Sequence, residues 1–382
     1  MKRILIFLNY AFAILLLSSY LAPYINPAVF WPIALLGLAY PFLLIFNVLF
    51  LFYWIVRRKK YLWVSLLTIL FGWSYIFRFV QLGIDQDGGD ATGPWVEVLS
   101  YNVRVFDLYN WKDENNEQTR DKIYEFIGSD GADILCLQEY YSNDNGDFSS
   151  AGAISEAGGA INVHESYTTS LGPNHWGIAT FSRFPIVGKG QVKFESSTSN
   201  ICVFTDIATG EDTVRVYNAH LGSVHFGYEE YELLEKVGTQ AGSRDSSGPL
   251  GKSRQIEKAQ REDIPVSEVT TSMVRLLKRA FVNRAAQARA VANHAAESPY
   301  PVIICGDIND TPMSYAYELL AKDRQDAFKV AGVGFGNTYA GVLPFFRIDY
   351  ILCDQEIGLV NFSTNSNIPY SDHYPVSCNL VL

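Results

Sequence analysis

The sequence predicts an α/β sandwich carried behind a block of about three transmembrane helices. Two observations lead there. Residues 1–84 contain no Asp or Glu and hold three long uncharged stretches. Beyond them, short apolar runs recur, with a few helical stretches between.

The first uncharged stretch is Ile4–Leu21, the second Ala28–Val56 and the third Tyr61–Phe77. A helix of roughly 20 apolar residues crosses a bilayer core. The second stretch exceeds that, and the others extend into apolar neighbours. Trp and Tyr near the ends fit an interfacial belt. Ser18-Ser19-Tyr20 is a poor signal-peptide cleavage site, so a cleaved leader is disfavoured. Residues 1–82 are therefore expected to form a membrane anchor.

The basic residues of this block are Lys2, Arg3, Arg57, Arg58, Lys59, Lys60 and Arg78. The positive-inside rule puts the N-terminus and the Arg57–Lys60 loop in the cytoplasm. A third span then places the following domain outside the cytoplasm, in the periplasm of a two-membrane cell. The expected localisation is a multi-pass membrane protein with an extracytoplasmic domain.

Removing those seven basic residues from the chain's 30 Lys and Arg leaves 23 against 40 Asp and Glu, a net charge of −17 after the anchor. That balance disfavours tight nonspecific binding to long nucleic acid, which needs Lys and Arg on phosphates. The five cysteines (Cys136, Cys202, Cys305, Cys353, Cys378) are odd in number and form no CxxC. Those within apolar runs read as small buried apolar residues.

Residues 83–94 read as a Gly-rich polar linker. The domain of residues 95–382 has candidate strands at Val96–Tyr101, Ile134–Gln138, Gly177–Ser182, Val203–Ile207, Val214–His220, Val302–Cys305, Ile348–Leu352 and Val376–Leu382, each a short β-prone run. Gln118–Ile127 and the Ala-rich Ser272–Ala296 read as helices. Residues 223–269 are polar and read as a long insertion, a lid or a solvated loop.

Polar and ionisable residues follow these strands repeatedly. Asn102 ends one, Glu139 another, and Asn218 and His220 close a third. Asp307, Asn309 and Asp310 follow a fourth; Asp349 lies in RIDYIL, and Asp372 and His373 in SDHYPV. Strand ends in a sandwich can converge on one edge. Oxygen donors without thiols suit Mg²⁺ or Mn²⁺. Two histidines with carboxylate partners suit proton transfer or phosphate contact. Singly, Asn102 and the Gly306–Asp310 segment read as turn residues, and each His as a structural one. Asp349 within an apolar strand is harder to place passively, because an unpaired buried carboxylate is costly. Arg104, Arg183 and Arg347 lie near these motifs as candidate phosphate contacts.

The ordered motifs SYN, LQE, SRFP, NAHL, GDIND, RIDY and SDHYP resemble those of the endonuclease/exonuclease/phosphatase superfamily, which includes deoxyribonuclease I and neutral sphingomyelinases. The resemblance runs from about Val96 to Leu382. Ile308 stands where that family usually has Phe, and residues 223–269 are a less usual insertion. The resemblance implies a four-layer α/β/β/α sandwich with its site at one edge and a metal, Mg²⁺ or Mn²⁺. It implies Glu139 as main metal ligand, with Asn102 and Asp372 in support. Asp307 is implied to orient or deprotonate the attacking water, and Asn309 to contact the phosphate or that water. Asp349 is implied to pair with His373, which acts as general base or phosphate contact. His220 is implied to protonate the leaving oxygen or bind the phosphate. Asn218 and Arg183 are expected to contact substrate.

The expected activity is metal-dependent hydrolysis of a phosphate ester, by a phosphodiesterase or phosphatase, on a lipid head group, a small diester or nucleic acid. An extracytoplasmic nuclease on DNA or RNA is the alternative, and a non-catalytic membrane scaffold a third. No protein partner is expected.

Overall fold

The computed structural model describes residues 2–83, 95–109, 116–195, 200–210, 212–224, 266–341 and 346–382. The expected linker, after Gly83, and most of the expected insertion lie outside the described residues.

The N-terminal block contains α1 (Lys2–Ser19), α2 (Pro27–Phe30), α3 (Pro32–Leu38), α4 (Tyr40–Val56), α5 (Leu62–Phe71) and α6 (Trp73–Ile76). The expectation of about three spans needs correction. Among the described residues only α1 is long and apolar enough to cross a membrane by itself. The second stretch breaks at Ala39, where α3 and α4 meet at 63°, and the two pass such a test only together. Pro41 at the start of α4 has no N–H to continue the preceding helix. The third stretch stops at Gly72, leaving the ten-residue α5. Ten residues rise about 15 Å, half of a bilayer core of about 30 Å.

This block is apolar outside and holds a few amide and hydroxyl side chains within its largely apolar interior. Phe7, Leu49, Phe52, Leu67 and Phe71 are exposed, whereas Asn9, Asn47 and Ser65 are fully buried. Asn9 Nδ2 donates to Ser65 Oγ at 2.7 Å, and Asn47 Nδ2 to the Phe12 and Leu43 carbonyls.

The strands are β1 (Val80–Gln81), β2 (Trp95–Asn102), β3 (Ile134–Asn143), β4 (Asn162–Leu171), β5 (Asn174–Ser182), β6 (Ile186–Gln191), β7 (Ile201–Ala208), β8 (Thr213–His220), β9 (Val302–Asp307), β10 (Arg324–Asp326), β11 (Gly334–Phe335), β12 (Asp349–Asp354), β13 (Gly358–Thr364) and β14 (Val376–Val381). Two six-stranded sheets result, ordered β10-β12-β9-β8-β7-β6 and β13-β14-β2-β3-β5-β4. Each has one parallel pair near its middle, β8 with β9 and β2 with β3, flanked by antiparallel neighbours. β9, VIICGD, is buried at every position because both its faces are covered.

The sheets stack through Val98, Ile134 and Cys136 on one side and Val216, Ile303, Cys305 and Ile351 on the other. Helices α7 (Asn116–Asp130) and α8 (Ala151–Gly158) cover the outer face of the second sheet through Ile123, Ile127 and Ile154. Helices α9 (Val266–Ala296) and α10 (Tyr315–Ala321) cover the first, with Ala288, Val291 and Ala295 on one helical face. A short α11 (Ala327–Ala331) follows. The layers are therefore α/β/β/α. Each fully buried Ile, Leu or Val contributes about 1.5–3 kcal/mol. All five cysteines are free and buried.

The helical block is seated on the sandwich. β1 pairs antiparallel with β11. Arg78 Nη1 donates to the Pro312 carbonyl at 2.9 Å and to Glu318 at 2.8 Å. Met313 is fully buried among Leu16, Tyr20, Tyr40, Leu43 and Ile69 of the block. Gly37 packs so closely that a Cβ would stand 2.4 Å from the Met313 carbonyl oxygen.

Candidate functional site

Strand direction explains why distant motifs meet. Asn102, Glu139, His220 and Asp307 lie at or near the C-terminal ends of β2, β3, β8 and β9. β12 is antiparallel to β9, so its first residue, Asp349, lies opposite Asp307. His373 precedes β14, antiparallel to β2, and bridges to Tyr339. All six therefore share one edge of the sandwich.

Local backbone aims each side chain. Between Leu137↔Ala179 and Tyr140↔Gly177, β3 has one residue more than β5, a bulge that holds Glu139 at φ +46°. Asn309 has φ +58°, and Arg104–Asp107 form a turn with four consecutive positive φ values. Such conformations cost of order 1–3 kcal/mol each and cluster at functional sites. Gly306 is required just before Asp307, because a Cβ there would stand 2.0 Å from the Ala219 carbonyl oxygen of β8.

Asp307 Oδ2 is the hub. It accepts from Asn102 Nδ2 at 3.0 Å and Asn309 Nδ2 at 2.9 Å. His220 Nε2 stands 3.8 Å from it and His373 Nε2 3.7 Å. Asp307 Oδ1 accepts the Asn309 backbone N–H at 2.8 Å. Glu139 Oε1 lies 3.3 Å from Asn102 Nδ2 and 3.7 Å from His220 Nε2. Its side chain is one-third exposed, whereas Asp307, Asp349 and His373 are buried.

His373 Nδ1 lies 3.0 and 3.1 Å from the Asp349 oxygens. An ionised carboxylate only accepts, so Nδ1 carries the hydrogen and Nε2 faces Asp307. The Ser371 hydroxyl donates to the Asn102 carbonyl at 2.8 Å, and the His373 N–H to that hydroxyl at 3.2 Å. Asp372 is partly exposed, with Oδ2 3.7 Å from Arg104 Nε.

Burial pushes the Asp307 carboxyl up to about 8, with the charges of Asp349 and Glu139 adding to it and His373 and Asn102 opposing it. Burial alone would lower His373, but Asp349 and then Asp307 outweigh it and hold its pKa well above the ordinary value. Asp307, Asp349 and His373 present ligand atoms that all lie within 4.8 Å of one another, a geometry able to hold a metal ion. Asp349 is occupied by His373, and Asp307 by two amides, which leaves Glu139 as the carboxylate most open to solvent of the three.

Three expected substrate contacts lie elsewhere. Arg183 follows the C-terminus of β5, which runs antiparallel to β3, so it lies at the opposite edge. It pairs with Asp133 at 3.5 Å and donates to the Gly158 carbonyl. Asn218 is fully buried between the sheets: Nδ2 donates to the Ala179 carbonyl at 2.9 Å and Oδ1 accepts from Gln138 Nε2 at 2.8 Å. It sits two residues deeper than His220 on the same strand face. Arg347 is buried in a bidentate pair with Asp326.

Sequence reasoning misses the supports. Arg284 of α9, 2% exposed, donates from Nε to Asp310 at 3.0 Å and from Nη1 to the Gly222 carbonyl at 2.8 Å. It thus joins the segment after Asp307 to the one after His220. Thr338 Oγ1 accepts from the Ile348 and Asp349 N–H groups. Nothing in the Ala-rich pattern of α9 marks Arg284, whereas LQE itself contains Gln138.

Carboxylates, amides and imidazoles carried by two stacked sheets thus meet at one edge. A family model described as the endonuclease/exonuclease/phosphatase family matches residues 99–373, and the chain belongs to that family. Residues 2–79 match a second model, described as a domain of unknown function. Solved structures similar to this chain include an endonuclease/exonuclease/phosphatase from Beutenbergia cavernae DSM 12333, at 16% identity and TM-score 0.49 over 75% of this chain and 71% of that one. The human Nocturnin catalytic domain with bound sulfate matches at 16% identity and TM-score 0.49, over 75% of this chain and 93% of that one. A family protein from Leptotrichia buccalis C-1013-b matches at 15% and 0.47, over 75% and 99%. A search of curated proteins returns no match.

Proposed function

We propose that this protein is a membrane-associated, divalent-metal-dependent hydrolase of phosphate esters. The observation that carries the reading is the convergence on Asp307 Oδ2 of Asn102, Asn309, His220 and His373, from both sheets.

The residues fit a hard divalent cation. The donors are carboxylates, an amide and imidazoles, with every cysteine buried as a free thiol. Asp307, raised first by burial and then by the charges of Asp349 and Glu139, is a carboxyl that a nearby cation would favour in its ionised form. Glu139 would hold the ion, supported by Asn102 and Asp372. When bound, Mg²⁺ or Mn²⁺ neutralises charge on the phosphate oxygens.

The remaining steps belong to the side chains. Asp307 orients the attacking water and draws its proton, with Asn102 and Asn309 fixing the carboxylate. Both Asn309 Nδ2 contacts go to Asp307 and the Leu221 carbonyl, so Asn309 positions Asp307 rather than gripping substrate. His373, oriented by Asp349, contacts the phosphate or takes the proton. His220, across Asp307, donates a proton to the leaving oxygen as its bond to phosphorus breaks.

Membrane association rests on the outward-facing apolar surface and inward-facing amides of residues 2–79, an arrangement suited to lipid. The net charge of −17 and the internal pairing of Arg183 and Arg347 count against a nuclease.

The test is a substrate panel on the full chain in detergent, with Mg²⁺ or Mn²⁺ and an EDTA control. It contains bis-p-nitrophenyl phosphate, p-nitrophenyl phosphate, plasmid DNA and phospholipids. EDTA-sensitive turnover of a small or lipid ester is expected. DNA nicking as the dominant activity would replace this reading by the nuclease one.

A further inference from the structure

Positive charge collects on α9. From Val269 to Ala296 the chain holds five Lys or Arg and no Asp or Glu, in a domain whose net charge is −17. Two of the five are used within the fold. Arg284 is buried against Asp310, and Arg289 donates to the Tyr315 hydroxyl. Arg275, Lys278 and Arg279 are exposed. Among the described residues, none of these three pairs with a carboxylate. Their spacing of three and four residues puts them on one helical face.

That face borders the helical block. α9 packs against α2. Lys278 Nζ stands 5.9 Å from the centroid of the Trp31 ring, which ends α2. α2 lies at the end of the block that meets the sandwich. There α1 ends, α4 begins and α5 ends, with Tyr20, Tyr40 and Ile69 packed on Met313. Lys2, Arg3 and Arg57–Lys60 lie at the opposite end, where α1 and α5 begin and α4 ends. At the sandwich end Val29, Phe30, Phe71 and Trp73 are exposed. Aromatic side chains in such a place fit the boundary between hydrocarbon and headgroups.

The two features ask for one partner. Contiguous exposed apolar groups mark a surface that something covers, and these continue the apolar outer face of the block. Cations just beyond the hydrocarbon attract anionic headgroups. Nucleic acid would match the cations but leave the apolar rim in water.

We infer that the α9 face carrying Arg275, Lys278 and Arg279, with α2 beside it, docks the domain on anionic phospholipid headgroups of the bilayer that holds the helical block. The inference rests on the membrane-associated reading above and adds a surface and a lipid class to it. An anionic leaflet repels a domain of charge −17, so the basic face also sets which way the domain lies. Arg284 is six residues, about 9 Å, along the same helix, where it joins the segments after Asp307 and His220. Docking therefore holds the catalytic edge beside the headgroup layer.

The test uses the full chain reconstituted in phosphatidylcholine vesicles. These contain a small, equal fraction of either brominated phosphatidylglycerol or brominated phosphatidylcholine. Bromine quenches a tryptophan that it touches. Trp31 emission, taken as wild type minus Trp31→Phe, reports the lipid beside Lys278. Phosphatidylglycerol should be favoured about fivefold for each cation that meets a headgroup, and high salt should remove the preference. The triple variant Arg275→Gln, Lys278→Gln, Arg279→Gln should lose it at low salt. The pair Arg275→Gln, Arg279→Gln keeps the Lys278–Trp31 contact and should lose most of it. Both variants should melt in detergent as wild type does, because all three side chains are exposed. Equal quenching by the two lipids would overturn the inference, and so would a preference that survives the triple variant. A DNA oligonucleotide that abolishes the preference would assign the face to nucleic acid instead. A full chain that floats with neither kind of vesicle would remove the membrane-associated reading, and this inference with it.

Discussion

Asn102 Nδ2 reaches Asp307 Oδ2 at 3.0 Å across the gap between the two sheets. One amide from the end of β2 thereby fixes a carboxylate from the end of β9, although 205 positions separate them. Neither strand owns the site, which exists only while the sheets are stacked. The chemistry is thus coupled to the packing of Val98 and Cys136 against Ile303 and Cys305.

The His373–Asp349 pair should govern the pH dependence of turnover. Asp349→Asn keeps the shape but removes the negative charge beside Nδ1 and puts an amide donor where one acceptor oxygen stood. kcat should fall about 10²–10⁴-fold, the range of general acid–base contributions. The limb of the pH–rate profile that His373 sets should move down, because the Asp349 charge, the largest that raises His373, is gone. Steady-state kinetics from pH 5 to 10 check this; an unchanged profile would separate His373 from catalysis.

Asp307 makes metal-free stability depend on pH. Its folded pKa is raised to about 8 from an unfolded value near 4. Folding therefore favours the protonated form. The stabilisation is present below about pH 4 and is lost as pH rises through about 8. His373, also raised, contributes with the same sign. In EDTA the melting temperature should fall from pH 5 to pH 8. Added Mn²⁺ should restore more at pH 8 than at pH 5, because the cation favours the carboxylate. Thermal scans of wild type and Asp307→Asn test this, and the variant should show a flatter pH dependence.

The site residues are legible where strand ends share an edge. An apolar run followed by Asn102, Glu139, His220 or Asp307 leads to one shared edge because β2 runs parallel to β3 and β8 to β9. The same pattern misleads at Arg183, because β5 runs the other way and delivers its last residue to the far edge. Strand direction is a property of the sheet, and no local pattern reports it. Asn218 misleads by depth: the two-residue period that aims His220 across the sheets also aims Asn218, but farther in, where it ties the sheets together. The third apolar stretch hides a break at Gly72 that hydropathy averages over. Arg284 is silent in sequence because its partners, Gly222 and Asp310, come from loops that meet only after folding.

Arg284→Ala should leave Asp310 as a buried carboxylate without its guanidinium. Breaking one side of such a pair costs about 3–5 kcal/mol. Melting should drop by several degrees, and Arg284→Lys should recover only part of it, because the forked contact to Asp310 and the Gly222 carbonyl needs a guanidinium. Full recovery by Lys would show that charge alone matters there.

The helical block should act on the site through the segment Asp307–Met313. Arg78 holds the Pro312 carbonyl, and Met313 is buried among α1, α4 and α5. Arg78→Ala should lower kcat for bis-p-nitrophenyl phosphate about tenfold with KM little changed, and Arg78→Lys should recover part of it. A variant with full kcat would make the block a tether only.

The central claim is that the edge around Asp307 hydrolyses phosphate esters with a metal held at Glu139. The most direct measurement is turnover of bis-p-nitrophenyl phosphate by the full chain and by Glu139→Ala, with Mg²⁺, after EDTA, and after Mg²⁺ is restored. The account predicts activity that EDTA abolishes and Mg²⁺ returns, and a Glu139→Ala protein that melts normally but is at least 10²-fold slower, in the range of losses from single electrostatic groups. Turnover that survives EDTA, or a Glu139→Ala protein as active as wild type, would contradict it.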